Sequence, residues 1–66
     1  MANLTDLIIA HPEITSFEEL ESLVAEVGRN GEVLLYMDIK PDYRDTPRQW
    51  LQRLELAFYG AGRRNA

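Results

Sequence analysis

Catalysis needs a nucleophile or an acid–base pair held at a fixed separation, and this chain offers few groups that could form one. His11 is its only imidazole, and there is no cysteine. A serine or threonine nucleophile would have to use that histidine as its base, yet the ring precedes Pro12, where a helix must end. In that place it suits capping of the last helix carbonyls, or solvent. Asp38, Asp42 and Asp45 follow one another along one segment and could in principle hold a hard cation. Their spacing lacks the sharp-turn glycine and the closing bidentate glutamate of a calcium loop. Turn-forming and capping duties fit them better. With no thiolate and one histidine, a structural zinc site has no ligand set. Gly28 and Gly31 come before a strand-like run and not between a strand and a helix, so they do not form a phosphate cradle. The residues point to a protein that is not an enzyme, with no cofactor and no metal.

Charge narrows the partners. The 66 residues carry a net charge of −4, and it is unevenly spread. Residues 1–38 hold eight acids against one base, Arg29, whereas residues 39–66 hold six bases against three acids. The acidic half repels nucleic acid. The other half, with Arg44, Arg48, Arg53, Arg63 and Arg64, is too weakly positive to grip a phosphate backbone. A dipolar surface suits steering towards a protein partner. No apolar run is long enough to span a bilayer. Met1–Asp6 has neither the basic start nor the apolar segment of a secretory signal. A cytoplasmic protein is the expectation.

The elements that must position these groups can be read from caps and periodicity. Asn3 can cap a short helix with Leu4, Leu7 and Ile8 on one face, ended by His11-Pro12. Ser16-Phe17-Glu18-Glu19 is a capping box in which the serine oxygen takes the first free N–H groups and Glu19 reaches back. Phe17, Leu20, Leu23, Val24 and Val27 then form one helical stripe, closed by Gly28. Asn30-Gly31 is also a hairpin signal, which would make 24–29 a strand; the helical spacing of the stripe favours helix, turn and strand. Thr46 at N-cap, Pro47 at N1 and Gln49 at N3 open a last helix running to about Tyr59, where Gly60 and Gly62 stop it.

Between the helices, residues 32–39 read as a strand with apolar side chains on both faces: Val33, Leu35, Met37 and Ile39 on one, Leu34 and Tyr36 on the other. A buried strand needs neighbours for its backbone groups, and no other segment reads as one. A domain this short buries only about 60% of its unfolded surface, and its core seldom supplies more than roughly 3–5 kcal/mol without a staple. Oligomerisation is the staple left. The expected fold is a small α+β domain over residues 1–62, in the order α-α-β-α. Strand 32–39 pairs across a homodimer through Val33, Leu35 and Met37, and residues 63–66 form a short flexible basic tail.

The stretch Arg29-Asn30-Gly31-Glu32-Val33-Leu34-Leu35-Tyr36-Met37 resembles the central hairpin of Phd/YefM-type antitoxins over about nine residues. Those domains begin with a strand, and their helices precede a further strand before the turn. This chain reads as beginning with a helix and leaves no room for the extra strand. The resemblance implies only an alternative function, an antitoxin-like or DNA-associated regulator.

The last helix points to a contact surface. At about 100° per residue, Trp50, Leu51, Leu54, Ala57 and Phe58 share the core arc. Leu56 and Tyr59 fall on the other side, among Arg48, Gln49, Gln52 and Glu55, with Arg53 close by. An exposed leucine and tyrosine one turn apart, flanked by arginines, have the composition of an interface. The acidic face of Glu18, Glu21 and Glu26 is the second candidate. The expectation is a homodimeric inhibitor or adaptor that binds a larger protein, of the kind phages and mobile elements encode.

Overall fold

The computed structural model describes residues 2–61, and within them two polar side chains decide where the first helices begin. Asn3 has extended backbone, and its side-chain oxygen accepts from Asp6 N at 2.8 Å. It opens α1, Leu4–Ala10, which ends as the His11 N–H bonds to the Ile8 carbonyl. Ser16 opens α2, Phe17–Arg29, by accepting from Glu19 N at 3.1 Å. Glu19 does reach back, but to Thr15 N at 2.9 Å, one residue before the cap. That bond from the Thr15 backbone lowers the Glu19 pKa. The stripe packs as its spacing requires: Phe17, Leu20 and Val24 are buried, with Leu23 and Val27 half-buried beside them.

Gly28 does not close α2. The helix continues through Arg29 to a cap at Asn30, and Gly31, at φ +96°, makes the left-handed turn. Gly28 is instead the point of closest approach to α3, Trp50–Ala61: a Cβ there would overlap the carbonyl oxygen of Phe58. At the other end, Arg53 of α3 bonds Glu21 and lies over the Phe17 ring. The starts of the two helices are therefore together and so are their ends. They run parallel.

Parallel helices require a return strand. The chain supplies β2, Leu35–Tyr36, which pairs in parallel with β1, Ala2–Asn3, with Ala2 opposite Leu35 and Asn3 opposite Tyr36. The mixed α+β composition is as expected, but the order is β1-α1-α2-β2-α3. The strand's partner lies in its own chain, in Ala2 and the cap residue Asn3, a segment too short for periodicity to reveal. The regular ladder covers two residues rather than eight. Outside them the alternation fails: Leu35 is 5% exposed and Met37 packs on the core, while Val33 is 82% exposed. The three residues expected to form one dimer face are divided between interior and surface.

The segment from β2 to α3 is held by its acids. Asp38 accepts from Thr5 N at 3.1 Å, adding a second cap to α1. Asp45 accepts from Phe17 N at 2.6 Å and Glu18 N at 3.2 Å, doing the same for α2. These backbone N–H groups hold both carboxyls below the usual aspartate value. Between them Pro41 is buried, and Tyr43 is half-buried with its hydroxyl pKa raised by burial. Thr46 does not cap α3; its Oγ1 accepts from Tyr43 N at 3.0 Å. Residues 47–49 form a turn, and α-helical bonding begins with Arg53 N to the Gln49 carbonyl at 2.9 Å. Leu54 and Phe58 are the buried residues of α3; Trp50 and Ala57 are half-buried, and Leu51 is exposed. Gly60 lies within the helix and does not stop it. Gly62 and the tail 63–66 lie outside the described residues.

Candidate functional site

The outward side of α3 carries the apolar surface that its inward side does not need. Leu54 and Phe58 fix the buried direction; at about 100° per residue, residue 56 lies roughly opposite both and residue 59 at least about 100° round from either, so both face out. Leu56 is 73% exposed and Tyr59 48%. The Tyr59 ring meets the Phe58 ring edge-on at 5.0 Å, so a core residue braces a surface one.

Two shallow concavities flank this ridge. One, of about 540 Å³, lies between the parallel helices: Ser22, Ala25 and Arg29 of α2 face Leu56, Ala57 and Gly60 of α3. The second, of about 440 Å³, lies on the outer shoulder of α3 among Gln52, Glu55, Tyr59 and Gly60. Leu56 lines both and is the crest between them. The central groove is floored by small side chains, and at Gly60 a Cβ would meet nothing.

Its charged boundary is asymmetric. At the start of the helices, Arg53 is tied to Glu21 by two bonds, Nε to Oε2 at 3.0 Å and Nη2 to Oε1 at 2.8 Å. Glu21 raises the Arg53 pKa, and the fork geometry makes this a well-formed ion pair. At the other end stands Arg29, exposed and without an ion pair among the described residues. Glu55 on the shoulder is likewise exposed.

The structure thus divides the expected contact residues. Gln52, Leu56 and Tyr59 share the shoulder; Glu21 and Arg53 border the groove but engage each other. Arg48, Glu18 and Glu26 are exposed and line neither concavity. Ala25, Arg29, Ala57 and Gly60 belong to the site and were not foreseen. Ala25–Arg29 and Leu56–Gly60 are i, i+4 pairs, but nothing in one sequence says which two helix faces will lie side by side.

The chemical candidates are also placed. His11 Nδ1 lies 2.9 Å from Glu13 Oε2, a local surface pair whose bond lowers the Glu13 pKa; the ring does not cap α1. Among the described residues, no three His, Cys, Asp or Glu side chains gather where they could hold a metal. No described helix is long and apolar enough to cross a membrane. In comparisons with known proteins, no family, curated protein or solved structure matches the chain.

Proposed function

We propose that this chain is a non-enzymatic protein–protein interaction module, an inhibitor or adaptor acting on a larger protein, with the outer side of α3 as its contact face. One observation carries the reading. Leu56 and Tyr59 stand exposed beside two apolar-lined concavities, on a helix whose core contacts are already made by Leu54 and Phe58. A leucine and a tyrosine so placed suit the centre of an interface, and the polar residues Gln52 and Glu55 suit its rim. The test is the double variant Leu56→Ala, Tyr59→Ala. Its melting temperature should stay near that of the parent, because neither side chain is in the core, while its retention of a partner in a pull-down falls at least tenfold. A well-folded double variant that retains the partner as the parent does moves the site off α3.

A second reading draws support from the order β1-α1-α2-β2. The departure expected at the N-terminus does not exist: the chain does begin with a strand, as the antitoxin domains it resembles do. Among the described residues, however, α2 runs up to the Asn30-Gly31 turn, and the further strand those domains place before the turn is absent. An antitoxin-like, DNA-associated role would show as DNA binding that weakens steeply with salt. Retention of a protein through Leu56 and Tyr59 would not.

A further inference from the structure

We propose that Asn30-Gly31 is a self-modifying site: the Gly31 backbone nitrogen attacks the Asn30 side-chain carbonyl, and the turn at the end of α2 slows this reaction without preventing it. No contact on α3 is involved.

The reaction needs only water. Gly31 N–H gives its proton to solvent hydroxide, the nitrogen bonds to Asn30 Cγ, and the bond from Cγ to the amide nitrogen breaks. Ammonia leaves, taking a proton back from water. A water molecule then opens the five-membered imide at either carbonyl. The product is aspartate at position 30, or isoaspartate, in which the chain continues through the side-chain carbons. Asn30 and Gly31 are both exposed, and glycine has no side chain to shield its nitrogen. The Asn30 amide makes no hydrogen bond among the described residues. Asn3 is the contrast: its side chain accepts from Asp6 N and donates to Asp6 Oδ2, and buried Leu4 follows it.

Geometry sets the rate. The ring closes only when Gly31 N is eclipsed with Asn30 Cβ about the Cα–C bond. Asn30 has φ −83° and ψ 11°, which nearly eclipses that nitrogen with Asn30's own. The Gly31 N–H is also engaged, donating to the Gly28 carbonyl at 3.3 Å. Counter-rotation about the bonds flanking the Asn30–Gly31 peptide reaches the closing arrangement while the rest of the chain stays in place. Glycine accepts the new φ, so the flip gives up one long hydrogen bond. The gate is local and opens without unfolding of the helices. Conversion also leaves a lasting mark. A carboxylate stands at the C-terminal end of α2, where the helix dipole disfavours it. Isoaspartate adds a backbone carbon between α2 and β2, against the register of Leu35 with Ala2.

Incubation of the full chain at mildly alkaline pH tests this, with conversion at each asparagine read by tandem mass spectrometry. Asn30 should convert in the folded chain about tenfold more slowly than in guanidinium, since only the flipped fraction reacts. Asn3 should stay intact in the folded chain, and Asn30→Gln should leave position 30 unconverted over the same period. Ser16→Ala, which weakens the far end of α2, should not change the folded rate. The purified converted chain should melt below the parent. An Asn30 that stays intact in the folded chain, or that reacts as fast there as in guanidinium, overturns the proposal. A folded rate that rises with Ser16→Ala overturns the local gate, because unfolding of the domain is then the route. A converted chain that melts as the parent does overturns the effect assigned to the carboxylate and the added carbon.

Discussion

The α2–α3 pair and the segment that links its members are held together by different physics. The helices meet through Phe17, Leu20, Val24, Leu54 and Phe58, all buried, with Gly28 against the Phe58 backbone. The link, residues 30–49, buries Leu35 and Pro41, half-buries Met37 and Tyr43, and is fastened by Asp38 and Asp45 to the starts of α1 and α2. The first region gains from removing carbon from water, a contribution independent of pH. The second gains from charge-assisted hydrogen bonds, which exist only while the carboxylates are ionised. In a domain too small for a second layer of side chains, ionised loops do the fastening that a larger core would do.

The comparison breaks most severely at Phe58. Phe58→Ala should destabilise by about 3–5 kcal/mol, lowering the melting temperature at every pH while leaving the shape of its pH dependence unchanged. A loss confined to acid pH would mean that the helix pair too depends on the carboxylates.

Asp45→Ala should come next, freeing two N–H groups at the start of α2. Its folded pKa is depressed, by the Phe17 N–H first and then the Glu18 N–H. Its stabilisation is therefore complete above the ordinary aspartate value, about 3.9, and disappears as pH falls through the lower folded value. Melting of the parent should drop as pH falls below about 4, and Asp45→Ala should flatten that limb. An equally steep limb in the variant assigns the acid sensitivity elsewhere. Ser16→Ala removes the local cap of the same helix and should cost about 0.5–2 kcal/mol by chemical denaturation. Its effect should persist in acid, because a hydroxyl does not titrate there.

The smallest effect has the opposite sign. Gly60→Ala adds a Cβ in open space on a helix, and should raise stability by up to about 1 kcal/mol, measured at a concentration where the chain is monomeric.

Legibility followed the same division. α1 and α2 could be read because a cap and a stripe coincide within a dozen residues, and such signals are local, although α2 runs past Gly28 to a cap at Asn30. The core arc of α3 was right at Leu54 and Phe58 but too wide at Leu51, since a wheel gives direction and not how much of the face is covered. Thr46-Pro47 looks like a helix start on spacing alone, yet Thr46 serves Tyr43. The apolar run 32–39 shows that an element needs cover without showing where the cover comes from. Its partner, Ala2–Asn3, and the groove opposite Leu56 are both products of tertiary placement. Capping by Asp38 and Asp45 was legible as a duty, though not the helices they serve.

The parallel course of α2 and α3 bears on how the chain can be re-engineered. A straight return along a helix of twelve residues, about 18 Å, takes roughly six extended residues, whereas the chain uses all of 30–49. The surplus carries Leu35, Asp38, Pro41 and Asp45, so it holds β1 and α1 in place as well as joining two helices. Lengthening it at the exposed Arg48–Gln49 turn is cheap, since each doubling of a flexible loop costs only about 0.6 kcal/mol. Trimming it to the shortest closing length would leave α2 and α3 joined, β1 without its ladder and α1 without the Asp38 cap, held by Leu4 and its neighbours on the core.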